Sequence, residues 1–118
     1  MLSTLESLFK LARDRKSNPV DGSYTNKLLS DKSFCKDKVL EEINELIEAS
    51  EKNTNKIHEA ADVFYHLIMY LEANDVKIED VMQELNKRKK WVTMITIYLL
   101  KFFEEKYLVR KYMKINLF

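Results

Sequence analysis

Glycine and proline are scarce in this chain of 118 residues, which holds one of each. Average usage would give roughly eight glycines and six prolines. Hairpins, bulges and glycine-rich phosphate loops depend on these residues, so their scarcity excludes a Rossmann fold, a P-loop and a β-sandwich. A chain of this length forms about one domain, and we predict that the domain is all-α.

Cysteine and excess charge are also scarce. Cys35 is the only cysteine, which excludes an internal disulfide, and 20 basic against 19 acidic residues leave a net charge of +1. Without a basic surplus we expect no nucleic-acid partner. Residues 1–5 lack the start of a secretory signal, so we expect a cytoplasmic protein. The nearly uncharged run at 91–100 has about half of the roughly 20 residues that span a bilayer, so we expect no membrane partner.

Apolar residues at helical spacing predict five helices. We place them at residues 4–16, 24–29, 35–52, 55–73 and 78–90. Pro19 and Gly22 both fall in the loop between the first two helices. The fourth helix is apolar around nearly its whole circumference, which predicts that it is buried. Because elongated helical chains of this size often complete their core by association, we also expect a homodimer.

The C-terminal residues differ in character from the rest. We divide the chain into a domain at 1–90 and an apolar extension at 91–118, to which we assign no role. A further helix is predicted in the extension, although Val92, Ile95 and Ile97 also have strand propensity.

Four acidic side chains provide the main indication of a metal or catalytic site. Glu42 and Glu45 are one turn apart on the third helix, and Glu59 and Asp62 repeat that spacing on the fourth. The short connection predicts an antiparallel helical hairpin, which would bring all four carboxylates together. Hard oxygen ligands suit Mg²⁺, with Mn²⁺ as the alternative. An incompletely coordinated ion would hold substrate phosphates and activate a water molecule.

Simpler interpretations stay open for several residues. Glutamates one turn apart commonly belong to a solvated helix face. Glu41 borders the cluster and is either a solvated charge or a base. His66 fits a satisfied core or supporting histidine better than a metal ligand. A di-iron site is excluded because neither His58 nor His66 follows a glutamate by three positions.

The order of these motifs resembles a known superfamily. Glu-Glu-x-x-Glu at 41–45 and Glu-x-x-Asp at 59–62 match the signature of the all-α, MazG-like nucleotide pyrophosphohydrolases. Asn-Pro-x-x-Gly-Ser-Tyr-Thr at 18–25 and Tyr-His at 65–66 are more specific, and they resemble the phosphoribosyl-ATP pyrophosphohydrolase family. The resemblance covers about residues 5–90.

The resemblance implies an enzyme of histidine biosynthesis, a phosphoribosyl-ATP diphosphatase. Such an enzyme hydrolyses a small nucleotide substrate, phosphoribosyl-ATP, to phosphoribosyl-AMP and pyrophosphate with Mg²⁺. Members are typically dimers of helical hairpins. The implied metal ligands are Glu42, Glu45, Glu59 and Asp62, with Glu41 orienting or deprotonating water, and the implied substrate contacts are Ser23, Tyr24, Thr25 and Lys38.

Two features depart from the family pattern. Leu40 stands where the family usually has glycine before the paired glutamates. Its side chain would crowd the site if another group had to approach the backbone closely there. Residues 91–118 have no counterpart in the family. Two other functions therefore stay open: a house-cleaning nucleoside triphosphate pyrophosphohydrolase that uses the same four acids, and a non-catalytic helical interaction module in which Leu40 and the extension mark lost activity.

Overall fold

The computed structural model describes residues 1–103, which fold into five helices. The helices are α1 (Ser3–Ser17), α2 (Tyr24–Ser30), α3 (Lys32–Lys52), α4 (Lys56–Ala73) and α5 (Ile78–Phe103). Within these residues the structure has no strand, and the predicted all-α fold is confirmed. α3 begins earlier than predicted because the Asp31 carboxylate caps it, accepting a hydrogen bond from the Phe34 amide at 2.9 Å.

Side chains fix the loop that leads into α2. Gly22 adopts a φ of 74°, a left-handed conformation that favours glycine. The Asn26 side chain accepts a hydrogen bond from the Val20 amide at 2.8 Å and donates one to the Arg15 carbonyl at 2.7 Å. The Ser23 hydroxyl caps α2 by accepting from the Asn26 amide at 3.4 Å. The loop is thereby held between the end of α1 and the start of α2.

The hydrophobic core lies where the first four helices meet. Its buried members are Ala12, Leu28, Leu29, Cys35, Ile68, Met69 and Ala73. Each large apolar side chain among them contributes roughly 1.5–3 kcal/mol through its removal from water. This core holds residues 1–78 together as one compact unit.

α3 and α4 form the predicted antiparallel hairpin. The connection is tight because Asn53 and Asn55 adopt left-handed backbone conformations, which asparagine tolerates better than most residues. The Thr54 amide donates to the Ala49 carbonyl at 2.9 Å and closes the end of α3. The hairpin brings the acidic parts of the two helices to the same height.

One side of this hairpin remains exposed, contrary to the prediction that α4 is buried all round. Its exposed apolar residues, which we call the apolar face, are Leu40, Ile43 and Ile47 on α3 and Ile57, Phe64 and Leu67 on α4. α1 and α2 cover the opposite side of α4, which carries Met69, whereas Phe64 is 56% exposed. Among residues 1–103, α4 is therefore buried on the side of Met69 and exposed on the side of Phe64.

The chain divides into two compact units after Ile78, and the described part of the second unit, residues 79–103, lies entirely in α5. α5 continues to Phe103 without a break, beyond its predicted end at residue 90. The Thr93 and Thr96 hydroxyls donate to carbonyls one turn earlier in the helix. Residues 104–118 of the predicted extension lie outside the described residues. No helix within 1–103 is long and apolar enough to cross a bilayer.

Candidate active site

Three of the four predicted metal ligands converge at one edge of the hairpin. Carboxylate oxygens of Glu42, Glu45 and Glu59 lie within 4.8 Å of one another. Oxygen ligands at about 2.1 Å from an octahedral Mg²⁺ lie roughly 3.0 to 4.2 Å apart. Glu42 is buried, Glu59 is half-buried and Glu45 is exposed, so the cluster opens towards solvent. The donor atoms suit a hard divalent cation, and the upper limit on their separations is close to the range expected for its ligands.

Desolvation and the neighbouring carboxylates change the titration of Glu45. Desolvation raises the pKa of its carboxyl, and the charges of Glu42, Glu59 and Glu41 raise it further. The positive charge of Lys38 opposes this rise. Holding these carboxylates together therefore costs electrostatic free energy, and a bound cation would remove that cost.

Lys38 lies between two acidic residues of α3. Its Nζ is 2.8 Å from Glu41 Oε2 and 3.2 Å from Glu42 Oε1. The hydrogen bond to Glu41 is the main cause that raises the pKa of Lys38 well above its ordinary value, so the ammonium is charged at neutral pH. The side chain implied to contact substrate is thus already paired with the acids.

Asp62 lies outside the group of three carboxylates. Its Oδ2 is 3.3 Å from Nε2 of His58, and its side chain is 37% exposed. Sequence reasoning did not pair His58 with Asp62, although a spacing of four residues on one helix indicates contact. The role of Asp62 as a fourth metal ligand stays a prediction.

His66 occupies the buried space between α2 and the acidic cluster. Its Nδ1 is 2.8 Å from the Asp62 carbonyl oxygen, which can only accept, so Nδ1 carries a proton. In the neutral ring, Nε2 then accepts from the Tyr24 hydroxyl at 3.0 Å. Burial raises the pKa of Tyr24, which keeps the phenol protonated. Nδ1 also lies 3.8 Å from Glu42 Oε1, which places His66 beside a predicted metal ligand.

Two of the implied substrate residues, Ser23 and Tyr24, line an open cleft at the start of α2. Thr25 Oγ1 is 2.7 Å from the Tyr65 hydroxyl, so the Ser23, Tyr24 and Thr25 hydroxyls all have partners within the protein. The cleft measures about 900 Å³ and is lined by Lys16, Pro19, Val20, Asp21, Gly22, Ser23, Tyr24, Asn26, Lys27, Leu29 and Ser30. Tyr24 therefore borders the cleft and, through His66, approaches the acids.

Leu40 does not crowd the acidic cluster. Its side chain is 54% exposed and belongs to the apolar face. Glu42 lies two positions further along the α-helix, which corresponds to a rotation of about 200° around the axis. The Leu40 side chain therefore points away from the Glu42 carboxylate, and its effect on a close approach to the backbone stays a prediction.

Comparisons with known proteins place the chain in a family. The sequence model of the phosphoribosyl-ATP pyrophosphohydrolase family matches residues 3–89. The chain is 44% identical over 96 residues to a phosphoribosyl-ATP pyrophosphatase of Clostridium novyi, covering 77% of this chain and 86% of that protein. It is also 44% identical over 91 residues to a phosphoribosyl-ATP pyrophosphatase of Clostridium acetobutylicum, covering 73% of this chain and 81% of that protein.

A bifunctional protein is also similar to this chain. The chain is 41% identical over 90 residues to a histidine biosynthesis bifunctional protein of Pyrococcus furiosus, covering 75% of this chain and 43% of that protein. No solved structure matches the chain significantly. On the extent of the family match and the identity to its relatives, the chain belongs to the phosphoribosyl-ATP pyrophosphohydrolase family.

Proposed function

We propose that this chain is a phosphoribosyl-ATP diphosphatase of histidine biosynthesis, acting in the cytoplasm. It would hydrolyse phosphoribosyl-ATP to phosphoribosyl-AMP and pyrophosphate. The main supporting observation is the convergence of Glu42, Glu45 and Glu59 at one edge of a hairpin that lies within the family match. The names of the relatives support the choice of substrate.

The proposed cofactor is Mg²⁺, with Mn²⁺ as a substitute. Its ligands would be Glu42, Glu45 and Glu59, joined by Asp62. All these donors are carboxylate oxygens, which hard divalent cations prefer. When bound, the ion supplies charge neutralisation for the phosphates and polarises the scissile anhydride.

The remaining residues have distinct proposed roles in the hydrolysis. Water adds across the α–β phosphate anhydride, and its oxygen bonds to phosphorus as the bridging P–O bond breaks and pyrophosphate leaves. Glu41 is half-exposed beside the cluster and takes the proton of that water. Lys38 provides positive charge for the phosphates, and the segment from Ser23 to Thr25 orients the nucleotide at the cleft.

An activity assay with phosphoribosyl-ATP, with and without Mg²⁺, tests this proposal. We expect pyrophosphate and phosphoribosyl-AMP in equal amounts, and no turnover after chelation of the metal. A parallel panel of ordinary and modified deoxynucleoside triphosphates tests the house-cleaning alternative. Turnover of one of these with phosphoribosyl-ATP left intact would show that the proposed substrate is wrong.

We also propose that the active form is a homodimer joined through the apolar face. Ile43 and Ile47 on α3 and Phe64 and Leu67 on α4 lie at helical spacing and are each more than one-third exposed. Two such hairpins stacked on these surfaces would form a four-helix bundle. A second copy suits the face because a two-fold axis brings the same apolar surface against itself.

Lys38→Met should tighten metal binding and weaken substrate binding. The ammonium lies 3.2 Å from Glu42 Oε1 and repels a cation at the same carboxylate. A unit charge and a divalent ion about 8 Å apart in water repel each other by about 1 kcal/mol, so we expect at least about a fivefold gain in Mn²⁺ affinity. Isothermal titration with Mn²⁺ and the KM for phosphoribosyl-ATP measure the two effects. Lys36→Met, at an exposed lysine of the same helix, is the control, and an unchanged Mn²⁺ affinity in Lys38→Met would contradict the expectation.

Asp62→Asn should weaken Mn²⁺ binding by about tenfold or more if Asp62 is the fourth ligand. His58→Ala should leave that affinity unchanged or increase it, because it removes the partner that now faces Asp62 Oδ2. The same titration measures both variants, with Asp37→Asn on the exposed surface of α3 as the control. An Asp62→Asn protein with wild-type affinity would limit the ligands to the three glutamates.

A further inference from the structure

A continuous set of contacts joins the start of α2 to the most buried acid of the cluster. The Tyr24 hydroxyl is 3.0 Å from His66 Nε2, and His66 Nδ1 is 3.8 Å from Glu42 Oε1. Tyr24 borders the cleft, whereas Glu42 is one of the converging carboxylates. One imidazole ring therefore separates the substrate segment from the proposed metal ligands.

The surroundings hold this ring in one orientation. His66 is 5% exposed, and its two nitrogens are engaged by the Asp62 carbonyl and the Tyr24 hydroxyl. The rings of Tyr65 and Tyr24 meet it edge-on at centroid distances of 5.1 and 5.9 Å. A buried nitrogen that loses its partner carries a desolvation cost, so the ring or its neighbours must rearrange when the Tyr24 hydroxyl is removed.

The acid next to His66 packs against that ring. Lys38 Nζ and His66 Nδ1 lie 3.2 and 3.8 Å from Oε1 of Glu42. Because Glu42 is buried, a movement of the His66 ring changes the surroundings of its carboxylate.

We propose that His66 is a positioning residue that couples the substrate segment to the metal centre, with Tyr24 acting through it on Glu42. This inference rests on the proposed function and adds a coupling between its two binding sites. Tyr24 is not a metal ligand, yet loss of its hydroxyl lowers the affinity for the cation. Because coupling is reciprocal, a nucleotide that contacts Tyr24 and a metal held by Glu42 influence the binding of each other.

The structure supplies a matched control for this coupling. The Tyr65 hydroxyl makes a 2.7 Å hydrogen bond to Thr25 Oγ1, which also joins α2 to α4, one residue along each helix from the Tyr24–His66 pair. Tyr24→Phe and Tyr65→Phe each remove one phenolic hydroxyl from a contact between these helices. Only Tyr24→Phe removes the partner of His66.

Titration of the full chain with Mn²⁺ alone, followed by electron paramagnetic resonance of the free ion, tests the proposal. We expect a dissociation constant about fivefold higher in Tyr24→Phe and within about twofold of wild type in Tyr65→Phe. Thermal melts of the metal-free proteins should show similar losses in both variants, because each loses one hydrogen bond of the same kind. Equal Mn²⁺ affinities in the two variants would overturn the coupling while leaving the proposed function intact.

A double-mutant cycle shows whether Tyr24 acts through His66. In a His66→Gln background, Tyr24→Phe should have no further effect on Mn²⁺ binding. Additive effects would mean that Tyr24 reaches the metal centre by another route and would overturn the assignment of His66. If the wild-type chain bound no Mn²⁺, the proposed metal site and the coupling would both be wrong, an outcome distinct from equal affinities in the two single variants.

Discussion

Replacing Glu59 with glutamine should abolish turnover and leave the fold intact. The change removes one of three converging carboxylates and puts a neutral amide in place of a charged oxygen ligand. We expect a loss of at least about a hundredfold in kcat. The free energy of unfolding of the metal-free protein should stay equal or increase, because the charge of Glu59 is one cause of the raised pKa of Glu45.

Two measurements separate the catalytic and structural effects of this change. Phosphoribosyl-ATP turnover in saturating Mg²⁺ reports the first, and urea denaturation in the presence of a chelator reports the second. Glu51→Gln is the control, since Glu51 lies exposed near the end of α3. A Glu59→Gln protein that unfolds more easily than wild type would assign Glu59 a structural role in place of a catalytic one.

Phe64→Lys should convert the proposed dimer into a monomer. Phe64 is 56% exposed in the single chain, so a lysine there remains solvated and changes the stability of the monomer little. Within a dimer joined through the apolar face, each copy would bury an unpaired ammonium, at an effective cost of several kcal/mol per ion. Analytical ultracentrifugation over a range of protein concentrations measures the association.

The matched control for this prediction is Leu2→Lys. Leu2 is 77% exposed and lies ahead of α1, outside the apolar face. The Leu2→Lys substitution should leave the association constant of the dimer at its wild-type value. A Phe64→Lys protein that remains dimeric would show that a different surface joins the two copies, and a monomeric wild type would show that the single chain carries the activity.

Much of the candidate site could be predicted because its parts are local. Glu42 and Glu45 share a helix, and a three-residue spacing places them on adjacent positions of its surface wherever that helix packs. The same regularity brings Lys38 next to Glu41 and Glu42, although we assigned Lys38 to the substrate and did not predict its pairing with the acids. Helix periodicity also predicted the hairpin, since a short connection leaves two neighbouring helices little choice but to pack antiparallel.

The apolar surface of the hairpin shows where periodicity stops being informative. An apolar α4 indicated burial on all sides, but hydropathy does not specify whether the covering surface belongs to the same chain. α1 and α2 pack against one side of α4, and Phe64 and Leu67 on another side remain exposed. Leu40 joins them because of its position around the helix axis, which is why it does not obstruct Glu42.

The order of residues alone therefore determines the helices, the spacing of the acids on each helix and the family signature, since these depend on contacts within a few residues. The packing of the helices decides which groups meet across the hairpin. It joins Glu59 to Glu42 and Glu45, and it places Tyr24 on His66, 42 positions away. Such contacts depend on the rotation and height of one helix against another. Side-chain packing in the core sets this arrangement, and the spacing of residues within one helix gives no information about it.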